Sequence, residues 1–180
     1  MQITKTLDVS NRKKWRSWLR KNHAKEQEIW LIYYRKISKK VRIPYNDAVE
    51  EALCFGWIDG QVKNIDKDRY AQRFSPRRPA SKLSEMNKER IRRLVKKGKI
   101  TKNGFDKVKS RLENKIAMPA FILRALKQNK DIWRNFQRFP GSYKRIRIGW
   151  IANARVSDRQ RRLKYFVKMT AKNKRYGMVQ

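Results

Sequence analysis

Apolar residues in the first half of the chain follow two spacings, which predict short helices alternating with strands. The first helix is predicted from an apolar face and a candidate cap, formed by Trp15, Trp18 and Leu19 after Ser10 or Asn11. Residues 29–34 are β-branched or aromatic without alternation, which is typical of a strand covered on both faces. A second helix is predicted to begin at Pro44 and to end in a left-handed turn at Gly56.

A β-hairpin is predicted next, with strands at 57–62 and 69–74 around a turn at 64–68. Residues 75–79 contain two prolines, which lack the backbone N–H of a strand, so regular structure is expected to break there. From residue 81 onward the spacing is helical, with candidate helix starts at Ser84, Thr101, Pro119, Asp131, Ser142 and Ser157.

The predicted fold class is α+β, a small N-terminal sheet with helices followed by an all-helical C-terminal half. We expect residues 1–80 to form the α+β part and residues 81–180 to form a basic helical part. The connections between the predicted elements are short, so the two parts are expected to pack as one unit.

Charge changes this picture more than any other feature of the composition. The 180 residues include 49 Lys and Arg against 15 Asp and Glu, a formal net charge of +34. A polyanion relieves the resulting self-repulsion, because neutralised phosphates release condensed counterions. We therefore expect a polyanionic partner, above all nucleic acid; a proteome-wide bias toward Lys and Arg is the alternative.

Cysteine usage and hydropathy favour a soluble, cytoplasmic protein. Cys54 is the single cysteine, so no internal disulfide can form. The N-terminal residues lack an apolar run of signal-peptide length, and no stretch approaches the roughly 18 apolar residues that span a bilayer. The sequence therefore predicts no transmembrane segment, and it leaves the oligomeric state open.

Catalysis has little support in the sequence. His23 is the only histidine and has no evident partner, and Cys54 lies on the apolar side of its helix. Two pairs of carboxylates are interpreted as charge balance: Glu50 with Glu51, and Asp66 with Asp68. Metal-ligand spacings, a phosphate loop and a dinucleotide fingerprint are missing, so no enzyme, metal or cofactor is predicted.

Basic and aromatic residues interleave on the second hairpin strand and just after it, as is typical of nucleic-acid binding. They are Arg69, Tyr70, Arg73, Phe74, Arg77 and Arg78. On a strand Arg69 and Arg73 share one face, whereas Tyr70 and Gln72 lie on the other. If one face is core, the other becomes an arginine-lined surface that leads into the last two arginines. The alternative is an aromatic core with a solvated arginine face.

Asp59 lies in the first hairpin strand beside bulky apolar residues, on the same face as Trp57. An acid in such a place needs a partner, and the neighbouring strand offers Arg69 or Arg73. A structural ion pair is the first interpretation. The second is that Asp59 orients an arginine that binds a ligand.

The last predicted helix combines an apolar face with a strongly basic remainder. The apolar face consists of Leu163, Phe166, Val167 and Thr170. No acid follows Asp158, and Arg161 and Arg162 are candidate phosphate ligands. Such a helix can lie along a phosphate backbone or on an anionic membrane surface. Its capped start and its place at the end of a helical series favour docking onto the core.

Two motifs resemble the YdeI/OmpD-associated family, also called bacteriocin-protection proteins. They are EEALCFGWIDG at residues 50–60 and RYAQRFSPRRP at residues 69–79, within a similarity that runs from about Trp15 to about Thr170. The resemblance implies an α+β N-terminal part followed by a helical part. It also implies a shared site without a catalytic assignment, at Trp57, Asp59, Gly60, Arg69, Gln72, Arg73, Arg77 and Arg78.

Three functions are therefore considered. The first is phosphate-directed binding of RNA or DNA, with candidate ligands Trp57, Asp59, Arg69, Tyr70, Gln72, Arg73, Arg77, Arg78, Arg161 and Arg162. The second, which the resemblance suggests, is stress or bacteriocin protection through a protein or envelope partner, without catalysis. The third and weakest is a small-molecule enzyme built around Asp59 and the arginines.

Overall fold

A computed structural model gives the structure of the chain and describes residues 2–78, 81–112 and 117–177. Within these ranges the strands form one sheet in the order β1-β2-β4-β3. They are β1 (Thr6–Leu7), β2 (Ile29–Tyr34), β3 (Trp57–Asn64) and β4 (Arg69–Pro76). β1 runs parallel to β2, whereas β4 is antiparallel to both β2 and β3. The predicted hairpin of β3 and β4 is thus confirmed. The two-residue strand β1, which pairs with β2, was not predicted.

The helices follow the predicted order and confirm the α+β class. They are α1 (Arg12–Asn22), α2 (Tyr45–Cys54), α3 (Glu85–Lys96), α4 (Lys102–Asp106), α5 (Lys109–Leu112), α6 (Ala120–Lys127), α7 (Lys130–Arg138), α8 (Gly141–Ala152) and α9 (Val156–Ala171). The chain divides into two compact units, Met1–Lys82 with Arg90–Arg111 and Leu83–Glu89 with Leu112–Gln180. These are called the N-terminal and the C-terminal unit below.

The core of the N-terminal unit lies between the sheet and α1. Trp15 of α1 is fully buried, and its ring meets the ring of Phe74 of β4 edge to face at 5.5 Å. The indole N–H of Trp15 also donates to the carbonyl of Ala48 in α2, at 3.0 Å. The apolar helical face predicted around Trp15 therefore joins two helices and the sheet.

Several boundaries differ from the sequence prediction, among them the end of β3 at Asn64 and the start of α9 at Val156. β4 continues to Pro76, because β2 pairs with β4 only as far as Phe74 and the missing N–H of Pro76 therefore costs no bond on that side. The helix predicted after Thr101 is two short helices, α4 and α5. α4 is held by a close approach in which a Cβ on Gly104 would lie 2.1 Å from the carbonyl oxygen of Cys54. Pro79, also expected to break the chain, lies outside the described residues.

The core of the C-terminal unit is formed by α6 to α9. Phe166 of α9 is fully buried and meets Phe136 of α7 edge to face, with ring centroids 6.2 Å apart. Thr170 is buried on the same face of α9 and donates its hydroxyl to the carbonyl of Phe166, at 2.8 Å. The expectation that the last helix docks onto a core is thus confirmed within this unit.

The cap of α7 is Asn129 rather than the predicted Asp131. The side-chain oxygen of Asn129 accepts from the backbone N–H groups of Asp131, at 2.8 Å, and of Ile132, at 3.2 Å. We expect Asn129→Ala to lower the free energy of unfolding by about 1 kcal/mol, as measured by chemical denaturation. Ser142→Ala is the matched control, because the N-cap of α8 is Pro140 and no side chain caps that helix, although Ser142 was predicted to start it. An equal loss in both variants would contradict the assignment of the cap.

Candidate functional site

Two of the predicted site residues, Trp57 and Gln72, are buried inside the N-terminal unit. Trp57 is fully buried, and its indole N–H donates to the carbonyl of His23 at 3.1 Å. Gln72 is buried as well and donates from its amide to the carbonyl of Gly60, at 2.7 Å. Both side chains therefore hold the hairpin to its surroundings.

The two strand arginines share one face of the sheet, as predicted, but each is engaged by an acid. Arg73 donates to Glu28 at 2.5 Å, and Arg69 forms an ion pair with Asp66 at 2.7 Å. Ala71, between them, is fully buried. This face of β4 is thus locally neutralised.

The predicted ion pair of Asp59 with Arg69 or Arg73 is wrong. Asp59 instead accepts a hydrogen bond from the Tyr45 hydroxyl, at 2.6 Å. The reason is the register, because Asp59 lies opposite Phe74 and so faces α1 and α2, away from both arginines. A register shift between Asp59 and Val62 lies next to this pair and is not visible in the sequence.

A cluster of tyrosines surrounds Asp59 on this helix-covered face, and sequence reasoning found only part of it. Tyr70 stacks on Tyr33 with ring centroids 5.2 Å apart, and its hydroxyl accepts from Arg42 at 2.9 Å. Burial first, and then the bond to Asp59, raise the pKa of Tyr45. A phenol that stays protonated donates to Asp59, and the charge of the buried Arg90 acts on both members of this pair.

Arg77 is also placed differently from the prediction. It is buried rather than part of a surface, and its Nη2 donates to the carbonyls of Ser81 at 2.8 Å and Lys82 at 2.6 Å. Burial first, and then the nearby charge of Arg111, lower the pKa of Arg77. Arg78 is exposed. The predicted arginine surface therefore does not continue from the strand into Arg77.

One groove of about 490 Å³ opens on the N-terminal unit, lined by Asp8, Ser10, Lys14, Tyr34, Lys40 and Val41. It contains none of the predicted site residues. Burial and the nearby charge of Glu51 raise the pKa of Cys54, which favours the thiol over the reactive thiolate. Within the described ranges, no cluster of three or more His, Cys, Asp or Glu is placed to hold a metal ion.

The C-terminal unit presents a different surface, the basic face of α9. It consists of Arg161, Lys164, Tyr165 and Lys168, together with Lys172, the C-cap residue just after the helix. These residues recur at intervals of up to four along the chain, and all are exposed. Asp158, near the start of the same helix, pairs with Arg161 at 2.6 Å and with Arg162 at 3.7 Å. The opposite side of α9 is held in the core, so the helix has a fixed orientation with its cations outward.

Aromatic rings lie along this basic face. Tyr165 is 45% exposed, and Trp150 at the end of α8 is 37% exposed. The guanidinium of Arg162 lies 4.6 Å from the centroid of the Trp150 ring, and its Nη1 donates to the Trp150 carbonyl at 2.8 Å. The sequence analysis did not identify these exposed rings; the signal was the Arg161–Tyr165 spacing of four.

No described helix has the length and apolar character that crossing a bilayer requires. The structure defines a basic α+β protein whose last helix exposes a cationic face. Residues 7–107 match the family model described as Domain of unknown function (DUF8412). This match covers more than half of the chain, so the protein belongs to that family.

Residues 115–173 match a second model, described as Bacteriocin-protection, YdeI or OmpD-Associated. The resemblance drawn from the sequence is confirmed for this segment, which contains the basic face of α9. The two motifs that suggested it, at residues 50–60 and 69–79, lie in the first match. No curated protein and no solved structure matches the chain.

Proposed function

We propose that the protein binds RNA or DNA without catalysis and that the basic face of α9 is the main contact. The observation that carries this proposal is one helical face on which cations and a tyrosine are exposed together. Successive cations there are three or four residues apart, which corresponds to about 4.5–6 Å along the helix axis. Such a row can contact consecutive phosphates of one strand.

Exposed rings favour single-stranded nucleic acid over duplex. Tyr165 lies within the row of cations, and Trp150 is flanked by Arg162. Unpaired bases can stack on such rings, at about 1–3 kcal/mol per base, whereas the bases of a duplex are already stacked. The arginines of β4 contribute less, because Glu28 and Asp66 neutralise one each, whereas the row of cations on α9 has Asp158 alone as its ion-pair partner among the described contacts. A cytoplasmic location, where RNA is abundant, belongs to the same proposal.

Fluorescence anisotropy of nuclease-treated protein tests this function. We expect single-stranded RNA to bind more tightly than duplex RNA or duplex DNA, with heparin as competitor. The interface offers five cations, the four of the α9 face and Arg162. At about 0.7 per phosphate contact, they predict that log K falls with log salt at a slope of about −3.5. Equal, weak binding of all three that moderate salt abolishes would refute a dedicated interface and leave the charge as background.

A second candidate is a role in stress or bacteriocin protection through a protein or envelope partner. The observation that favours it is the match of residues 115–173 to a family described in those terms. The two candidates are separable in cells challenged with bacteriocin. Protection that survives when nucleic-acid binding is lost would favour the second candidate.

A further inference from the structure

Arg147 of α8 is a buried cation that has no carboxylate partner in the part of the chain that the structure describes. Its residue surface is only 6% exposed. Its Nη2 donates to the backbone carbonyl of Tyr176 at 2.9 Å, and its guanidinium carbon lies 4.3 Å from the centroid of the Tyr176 ring. A buried charge is costly unless it is paired, and a single carbonyl and aromatic rings compensate it only in part.

Three polar atoms of this cluster are buried without a hydrogen-bond partner among the described residues. They are Nε of Arg147 and the hydroxyl oxygens of Tyr143 and Tyr176. Burial raises the pKa values of Tyr143 and Tyr176, and the backbone N–H of Tyr176 and the charge of Arg147, respectively, act against that rise. Each of the three groups has an N–H or O–H that is free to donate to an added anionic oxygen.

Tyr176 reaches this place because the chain turns back after α9. Asn173 adopts a left-handed conformation with φ of 50°, just beyond the end of α9 at Ala171. The Tyr176 ring then lies 4.8 Å from that of Tyr165 and 6.3 Å from that of Trp150. The tail thus offers the cation a neutral carbonyl, for which an anionic oxygen is a stronger substitute.

We propose that Arg147, Tyr143 and Tyr176 form a binding site for a terminal phosphate monoester of nucleic acid, in which a phosphate oxygen takes the place that the Tyr176 carbonyl occupies on Arg147 in the free protein. A terminal phosphate has three free oxygens, one for each of the three buried groups that have no hydrogen-bond partner. An internal phosphodiester has two and carries nucleosides on both sides, so it cannot enter a buried site. Trp150 lies beside the site, where the terminal base can stack. This inference rests on the proposed function, because the phosphate belongs to the bound strand.

Three oligonucleotides of one single-stranded sequence test the site, with a 5′-phosphate, a 3′-phosphate or hydroxyl groups at both ends. We expect the wild-type protein to bind one phosphorylated form at least about tenfold more tightly than the hydroxyl form, as for a charge-assisted contact. Inorganic phosphate at millimolar concentration should reduce this preference. In Arg147→Gln the ratio should fall to about one. Arg145→Gln on the same helix is the matched control, because Arg145 pairs with Glu89 at 2.6 Å, and the ratio should persist there.

The outcomes separate this inference from the proposed function. Binding of all three oligonucleotides with equal affinity overturns the terminal-phosphate site and leaves the proposed function standing. Failure of all three to bind overturns both. If circular dichroism shows that Arg147→Gln is unfolded, the double variant Tyr143→Phe with Tyr176→Phe removes two donors while keeping both rings. An unchanged end preference in that variant also overturns the inference.

Discussion

We expect Glu51→Gln to lower the free energy of unfolding by about 3 kcal/mol. The Glu51 side chain is 2% exposed and accepts from two arginines of α1, Arg12 and, at 2.6 Å, Arg16. Glutamine keeps the shape of the side chain but removes the charge that the two guanidinium groups share, while Arg12 keeps Asp47 and Glu50 as partners. Both arginines are partly exposed, so water compensates them in part and the loss lies at the lower end of the range for broken buried pairs. Thermal unfolding followed by circular dichroism should show a decrease in Tm of about 6–12 °C.

Asp47→Asn is the matched control for this network. Asp47 contacts Arg12 at 3.2 Å, but its side chain is 36% exposed. A solvated ion pair contributes at most about 1 kcal/mol, so the control should lose far less stability. Similar losses in Asp47→Asn and Glu51→Gln would contradict the view that a buried carboxylate joins α1 to α2.

Much of the fold follows from local pattern, because short-range rules decide it. The face of Trp15 and Leu19, the strand at Ile29–Tyr34 and the left-handed stop at Gly56, with φ of 73°, are all where spacing predicts them. The cap of α7 was misplaced by two residues because Asn and Asp are equally good caps. Element type is therefore easier to predict than its exact first residue.

The candidate site could be predicted only in part, because it depends on contacts between distant residues. Whether Asp59 meets Arg73 or Tyr45 depends on strand register, which the sequence of one strand does not encode. Arg161 and Arg162 were predicted correctly to lie on a helix with basic and apolar sides. Arg147 was missed, although its position between Ile146 and Ile148 in a helix with buried residues on several sides was a signal of a buried cation.

The second large effect is expected in nucleic-acid binding, on replacing Arg161, Lys164, Lys168 and Lys172 together with alanine. All four are exposed on one face of α9, and alanine favours the helix, so the fold should persist. Each phosphate contact adds about 0.7 to the slope of log K against log salt. The loss of four contacts therefore removes roughly 2.8 log units of the affinity that is gained when the salt falls from 1 M to 0.1 M. Affinity for single-stranded RNA at 0.1 M salt should therefore fall by about 10²–10³, and the slope of log K against log salt should flatten.

The matched control removes the same charge from the N-terminal unit, by replacing Lys13, Lys21, Lys96 and Lys97 with alanine. These lysines are exposed as well, and two lie in α1 and one in α3. With a net charge of +34, a purely diffuse attraction would weaken equally in both variants, because each loses four charges. Equal losses would thus assign binding to the total charge of the chain. A loss at least about tenfold larger in the α9 variant assigns it to that helix, since only localised phosphate contacts depend on where the cations lie.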